Sequence, residues 1–394
     1  MKILLVTDAC GELNNGTTMT TYRFAQNLRA RGHEVRILAC GEHASPQTRV
    51  QELQLPFVTA VVHGEGFALG RPDEEVFRRA FAWADLAHFL LPLPFDRRAM
   101  LVCREMGVPM SAAFHLQPEN VTYALHLPYE WLAKALYRGF HRYFYSYFTH
   151  IHCPSQFIAG ELRRYGYTAK LHVISNGVDE SFVPGHEDVG DGLFHILTVG
   201  RLSPEKRQDV LLRAVLRSRY EKKIQVHIAG QGQCLSRLRR LAGKLTNPVE
   251  IGFHQKDELI RLMHRCDLYV HASYIEIEAI SCMEAFSCGL VPVISDSPKS
   301  ATVQFALTER SLFAPDDADA LARRIDYWIE HPQEREAMGR RYAEAGRRYR
   351  VGNSVAQAEE MFAEVLQEAR AGGRERGAHR EQAALTAAGS AEAG

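Results

Sequence analysis

The sequence predicts an α/β protein of two parallel-sheet halves facing each other across a cleft. Three observations predict it. Short apolar runs alternate with amphipathic stretches of helical length, the β-α-β-α rhythm of parallel sheets joined by right-handed crossovers. That rhythm breaks at Pro184–Gly192, which is polar and carries Pro and Gly, and then restarts. The chain has 394 residues, room for two or three domains at roughly 100–200 residues each. The expected division is a first half over 1–178 and a second over 186–350. A helix over 351–369 is expected to cross back to the first half, followed by a disordered tail over 370–394.

The first half reads as strand Lys2–Val6, then helix Thr17–Arg31 ended by Gly32, then strand Glu34–Ala39. A further strand is expected at Phe57–Val62. Helix Pro72–Trp83, strand Leu86–Leu91, helix Asp96–Met106 and strand Pro109–Phe114 follow. Tyr129–Phe148 is long, aromatic and basic, without an acid after Glu130. Strand Ile151–Pro154, helix Ser155–Tyr165 and strand Lys170–Ile174 close this half, and Asn176-Gly177-Val178-Asp179 is a turn signal.

The second half starts with strand His195–Val199 and helix Arg207–Arg219. Strand Gln225–Ala229, helix Cys234–Lys244, strand Val249–Ile251 and helix Lys256–Arg265 continue it. Its centre is Asp267–Ser295, DLYVHASYIEIEAISCMEAFSCGLVPVIS. Apolar runs at either end read as buried parallel strands. A helix between them has Gly289 placed to stop it. Asp317–Glu330, Pro332–Tyr349 and Ser354–Ala369 are helical by pattern. Beyond about 370 large apolar side chains are nearly absent, hence the expected disorder.

Composition excludes several classes. Lys plus Arg and Asp plus Glu number 47 each, so net charge is zero and no nucleic-acid footprint exists. Eight cysteines at 10, 40, 103, 153, 234, 266, 282 and 288 have neither C-x-x-C nor paired spacing. They read as reduced thiols of a cytoplasmic protein, with no zinc or disulfide framework. MKILLVTDAC is a core strand, too short for a signal peptide, and no apolar run is long enough to span a membrane.

The chemistry-bearing residues gather after strands, where an open α/β sheet binds ligands. Glu276, Glu278 and Glu284 lie on the loop and first turns after the Asp267–His271 strand. Glu276 and Glu284, eight positions apart, are about 12 Å apart along a helix, too far to share a proton. They suit hydroxyls on different parts of one elongated ligand, or else they only offset the helix dipole. Gly11–Thr18 is a glycine-punctuated turn opening a helix, suited to an anion, yet Thr17 stands where a P-loop needs lysine. Arg201 and Lys206 follow strand His195–Val199 on a turn into a helix and can hold a diphosphate, or form a solvated basic turn. Gly230-Gln-Gly232 alone is a weak signal. His115, just past Pro109–Phe114, can donate to or accept from an oxygen in the cleft. His88, inside an apolar run, reads as a core histidine. No histidine spacing indicates a metal.

These motifs in this order, NGTTMTTYRFAQNLRARGHEV, ISNGVDESF, VGRLSPEKRQDVLLRA and the Asp267–Ser295 stretch, resemble glycosyltransferase family 4. The resemblance runs from Met1 to about Ala369. It implies the GT-B fold of two facing Rossmann-like domains, the first binding acceptor and the second a nucleotide-sugar donor. It implies retaining transfer without metal or other cofactor. Arg201 and Lys206 match the diphosphate-binding pair, Glu276 the glutamate on the transferred sugar, and Glu284 the one on the ribose. Main-chain amides around Ala279 and Ile280 would meet sugar or phosphate, Gly16 would admit the diphosphate, and His115 would lie near the sugar 6-hydroxyl and the reaction centre. The departing diphosphate would deprotonate the acceptor, with no carboxylate nucleophile. The sequence departs from the family at Ile277 and Ala279, where glycines are frequent. Glu278 between them is either an extra sugar contact or solvated.

A narrower resemblance, carried by HLQPENVTYALHL and YRGFHRYFYSYFTHIHCPSQFI, is to bacterial diacylglycerol glucosyltransferases. It implies UDP-glucose as donor, a membrane glycerolipid as acceptor, and peripheral placement on the inner face of the cell membrane. Lys134, Arg138, His141 and Arg142 among the aromatics of 129–148 form a surface for anionic lipid, or a core helix with snorkelling arginines. A soluble acceptor, a nicotinamide-dependent oxidoreductase and a non-catalytic sugar-nucleotide binder are the alternatives. The oxidoreductase lacks its G-x-G-x-x-G turn.

Overall fold

The computed structural model describes residues 1–11, 16–56, 59, 63, 68–125 and 127–391. Two six-stranded sheets carry the fold. The first comprises β1 (Lys2–Ala9), β2 (Glu34–Cys40), β3 (Leu86–Phe89), β4 (Met110–Ala113), β5 (His150–Cys153) and β6 (Lys170–Val173), in the order β2-β1-β3-β4-β5-β6. The second comprises β7 (Phe194–Val199), β8 (Ile224–Ala229), β9 (Glu250–Gly252), β10 (Leu268–His271), β11 (Val291–Ser295) and β12 (Leu312–Phe313), in the order β12-β11-β10-β7-β8-β9. Every strand pairing in both is parallel. The architecture is the expected α/β GT-B one. The strand expected at Phe57–Val62 lies, apart from Thr59, outside the described residues.

The period of two along β1 divides the first core. Leu4 and Val6 join Phe77, Phe81, Phe89 and Phe95 on one face. Ile3 and Leu5 join Phe24 and Leu28 of helix Gly16–Ala30 on the other. The second sheet has one large core, with Trp328 and Tyr342 among its fully buried aromatics.

The chain crosses between the halves twice, and the crossings are hydrogen-bonded together. The Val178 N–H donates to the Tyr349 carbonyl at 2.7 Å, and the Val351 N–H to the Val178 carbonyl at 2.9 Å. Gly177 (φ +76°) is required there, since a Cβ would lie 2.7 Å from Val351 Cα. The last helix, Val351–Ala391, then lies on the first half. Its stripe Val355, Ala358, Met361, Phe362 and Val365 is buried with Phe24 and Leu28.

The expected tail over 370–394 begins within that helix. Backbone is helical through Ala391, and 392–394 lie outside the described residues. Ala, Glu and Arg are strong helix formers, a preference that counting apolar side chains overlooks. The aromatic segment 129–148 lies partly in the core and partly on the surface. It forms helix Glu130–Tyr143 and the turn Tyr145–Tyr147. Tyr137, Phe144, Tyr145 and Phe148 are buried, whereas Tyr129 and Trp131 are 55 % and 67 % exposed. No described helix is long and apolar enough to cross a membrane.

Candidate active site

The second sheet reads β9-β8-β7-β10-β11-β12, so connections leave in opposite directions from neighbours β7 and β10. The crevice past their carboxyl ends is the topological switch point. Arg201 and Lys206 follow β7, Glu276 follows β10, and Glu284 sits on helix Ile280–Ser287. Packing of the loops there demands glycine: a Cβ on Gly230, after β8, would fall 2.0 Å from the Gly200 carbonyl oxygen after β7.

Glu276 and Lys206 are joined. Lys206 Nζ donates to Glu276 Oε1 at 2.5 Å, and His271 Nε2 lies 3.0 Å from the same oxygen. Burial alone would raise the Glu276 pKa. The Lys206 charge and the His271 hydrogen bond outweigh it and hold this carboxyl well below the ordinary range. It is thus an ionised acceptor for hydroxyls at any working pH, and unsuited to be a proton donor. His271, the last residue of β10, is 2 % exposed. The Tyr269 hydroxyl lies 3.1 Å from its Nδ1 and 3.2 Å from Ser281 Oγ, which donates to the Val199 carbonyl. This network ties β10 to β7 and orients the imidazole. Sequence reasoning missed His271, although the strand-end rule that singled out His115 applies to it equally.

Arg201 is half-exposed, with Nη2 3.5 Å from Glu205 Oε1. Glu284 is buried, and burial raises its pKa against the opposing charge of Arg23 3.9 Å away. Arg23, on helix Gly16–Ala30 of the first half, also donates to the Gly177 carbonyl at 2.6 Å. It therefore touches both the candidate ribose glutamate and the crossing. It lies within the NGTTMTTYRFAQNLRARGHEV motif, but sequence reasoning gave it no role.

Ala279, at the expected amide position, precedes helix Ile280–Ser287 with φ +69° and ψ +72°. The left-handed conformation that glycine favours is kept although the glycine is gone. Both readings of Glu278 need correction. Glu278 is 1 % exposed, and its carboxylate turns to the first half, accepting from the Asn176 N–H at 2.9 Å. Burial pushes its pKa up to about 7, with hydrogen bonds from Ser175 and Asn176 opposing. Ser155 Oγ donates to the neighbouring Ile277 carbonyl at 2.7 Å, and Gln117 Nε2 to the Lys299 carbonyl at 3.2 Å. The loop bearing Glu276 is thus held by Ser155 and Asn176 of the first half, and the loop after β11 by Gln117.

His115 follows β4 in the first half and is buried, its Nε2 without a partner and its ring edge-on to His152 at 5.2 Å. Burial first, then His152, brings its pKa down to about 3, so the imidazole is neutral. Gly16 opens helix Gly16–Ala30, while residues 12–15 of the glycine turn lie outside the described residues. His88 is a core residue, its Nδ1 2.9 Å from Ser111 Oγ.

Two Rossmann-like sheets with charged groups converging at the second one's switch point have the layout of the GT-B glycosyltransferases. The comparisons agree: residues 14–182 match Glycosyltransferase Family 4 and residues 186–345 match Glycosyl transferases group 1. Together the two models span most of the chain, which belongs to the glycosyltransferases of family 4. A GDP-mannose-dependent α-mannosyltransferase of Corynebacterium glutamicum is 24 % identical over 75 % of this chain and 72 % of its own. Among solved structures, sucrose-phosphate synthase of Thermosynechococcus elongatus superposes with a TM-score of 0.73 at 16 % identity, over 93 % of this chain and 99 % of its own. The Anabaena protein HepE in complex with UDP-glucose gives 0.70 at 18 %, over 92 % and 100 %. At those identities the likeness is one of fold.

Proposed function

We propose that the protein moves a hexose from a nucleotide-diphosphate sugar to a hydroxyl of a membrane glycerolipid, with retention and without a metal. The observation that carries the donor reading is Glu276, ionised and fixed by Lys206 and His271 at the switch point. Arg201 and Lys206 take the diphosphate, with the Ala279 and Ile280 amides at the helix start and Gly16 opposite. Glu276 takes the sugar hydroxyls and Glu284 the ribose. Neutral His115 meets the sugar near the reacting carbon. The departing diphosphate, its charge matched by Arg201 and Lys206, accepts the acceptor proton.

UDP-glucose is the first donor to test, and the GDP-mannose-dependent relative makes GDP-mannose the second. The lipid acceptor rests on the exposed face of helix Glu130–Tyr143. Trp131, Arg138 and Arg142 share it, near exposed Leu125, Leu127 and Tyr129. Aromatic side chains beside arginines suit an anionic lipid interface. The protein stays cytoplasmic and docks on the membrane from that side.

The test is nucleotide release from UDP-glucose, UDP-galactose, UDP-N-acetylglucosamine and GDP-mannose, with and without diacylglycerol in anionic liposomes. Release from one donor that rises with lipid supports both parts. Release indifferent to lipid keeps the transferase and moves the acceptor to a soluble glycan or metabolite. Replacing Arg138 and Arg142 by Glu should abolish sedimentation with those liposomes while leaving lipid-independent donor hydrolysis unchanged.

A further inference from the structure

We propose that the far edge of the first sheet holds a structural site for a divalent ion of the zinc class, formed by His150, His172 and Glu364. His150 opens β5 and His172 lies in adjacent β6. In the parallel register His150 faces Lys170 and His152 faces His172, so all four side chains share one face. The last helix covers that face, with Glu364 and Glu368 one turn apart on it. One ligand atom from each of His150, His172 and Glu364 lies within 4.8 Å of the others. His150 Nδ1 and His172 Nε2 are 2.8 Å apart, and His172 Nε2 is 3.8 Å from Glu364 Oε2.

The surroundings suit a metal ligand. His150 Nε2 is 2.9 Å from the Glu368 carboxylate. That contact places the ring proton on Nε2 and leaves Nδ1 as a lone pair aimed at His172. A carboxylate behind an imidazole whose other nitrogen faces the ion is the usual outer shell of a histidine–zinc site. Two imidazoles and one carboxylate favour zinc over the all-oxygen sites of calcium or magnesium. On binding, the ion takes the place of the proton held between the two imidazole nitrogens, and that proton moves to Nδ1 of His172, so both rings ligate as neutral imidazoles. Water completes the coordination. Lys170 Nζ, now 2.6 Å from Glu364 Oε2, is the competing cation and must swing away; its side chain is more than half exposed.

The site's position gives the ion a task separate from sugar transfer. β6 leads directly into the first crossing between the halves, and the last helix begins at the second. An ion bridging them would brace the pair of connections on which the second half is carried.

The full chain, freed of metal by a chelator, would be titrated with Zn²⁺ by calorimetry and with Co²⁺ by visible absorption. One equivalent should bind, with d–d bands of a four- or five-coordinate ion and Tm raised by about 3 °C at hundredfold excess over Kd. H172Q and E364Q should each lose at least tenfold in affinity, and K170A should bind several-fold tighter. No binding to the parent chain overturns the proposal, as does binding that is the same in H172Q and E364Q. Should both ligand variants fail to fold, K170A on its exposed side chain still decides, since unchanged affinity there rules the site out.

Discussion

The strand ends of the two halves handle charge in opposite ways. In the second half, charge is retained and paired: Lys206 and His271 converge on Glu276 and keep it ionised despite burial. In the first half, charge is suppressed. His115 is neutral, with its pKa brought down to about 3 by burial. Near the end of β1, burial raises the pKa of both Asp8, to about 6, and Asp96. The difference fits the proposed function, in which the second half meets the charged donor. A preorganised ion pair is useful where a diphosphate arrives and departs. A neutral, desolvated wall is useful where a hydroxyl must react without being drawn into a competing ion pair.

The largest effect should come from breaking the charged side. Glu276→Gln keeps the shape but leaves Lys206 without its counter-charge, and Lys206→Ala removes the cation. Each should lower kcat/KM for the donor by about 10²–10³, or about 3–4 kcal/mol. The double variant should lose much less than the sum, because the two act as one unit. Additive losses in steady-state kinetics would sever the pair.

This side of the molecule was also the more legible in sequence. The Glu276–Glu284 spacing and the Arg201–Lys206 turn are local, and each follows its strand as the α/β rule requires. What escaped were partners brought in by tertiary contact. Arg23 gains its meaning only from Glu284 and the Gly177 carbonyl, and Glu278 only from the Asn176 N–H of the other half. From sequence alone a glutamate in a polar loop is as readily solvated as buried.

Glu278 is where the second half borrows the first half's habit, which yields the next prediction. Its folded pKa, about 7, exceeds the ordinary carboxylate value, so the native state holds the proton more tightly than the unfolded chain. Stability from this group is therefore full below the ordinary range and falls as pH rises through 7. Glu278→Gln keeps an acceptor for Asn176 and removes the titration. It should stabilise the protein by about 1–3 kcal/mol at pH 8 and by nothing measurable near pH 4.5. Urea unfolding at the two pH values checks this, and an equal shift at both would assign the effect to packing.

His115 sharpens the neutral side. His115→Ala should cost about tenfold in kcat/KM through loss of one neutral hydrogen-bonding group, less than either half of the ion pair. Because the ring does not charge above pH 4 or so, the wild-type profile between pH 5.5 and 8 should keep its shape in the variant. A limb near 6.5 that vanishes with the substitution would make His115 a titrating acid–base group and end the contrast.

The smallest effect should come from Ala279, where the charged side depends on backbone alone. At φ +69° an alanine costs about 1–2 kcal/mol that glycine would not. Glycine returns part of that through the freer unfolded chain, about 0.4–1 kcal/mol. Ala279→Gly should therefore stabilise by about 0.5–1 kcal/mol in denaturant unfolding and leave donor kcat/KM within about twofold. Unchanged kinetics would mean that the site uses the left-handed turn, which aims the first amides of helix Ile280–Ser287, and is indifferent to the methyl group. A large gain in kcat/KM, or acceptance of a second donor sugar, would mean that the methyl group itself crowds the sugar and that this position helps to choose the hexose.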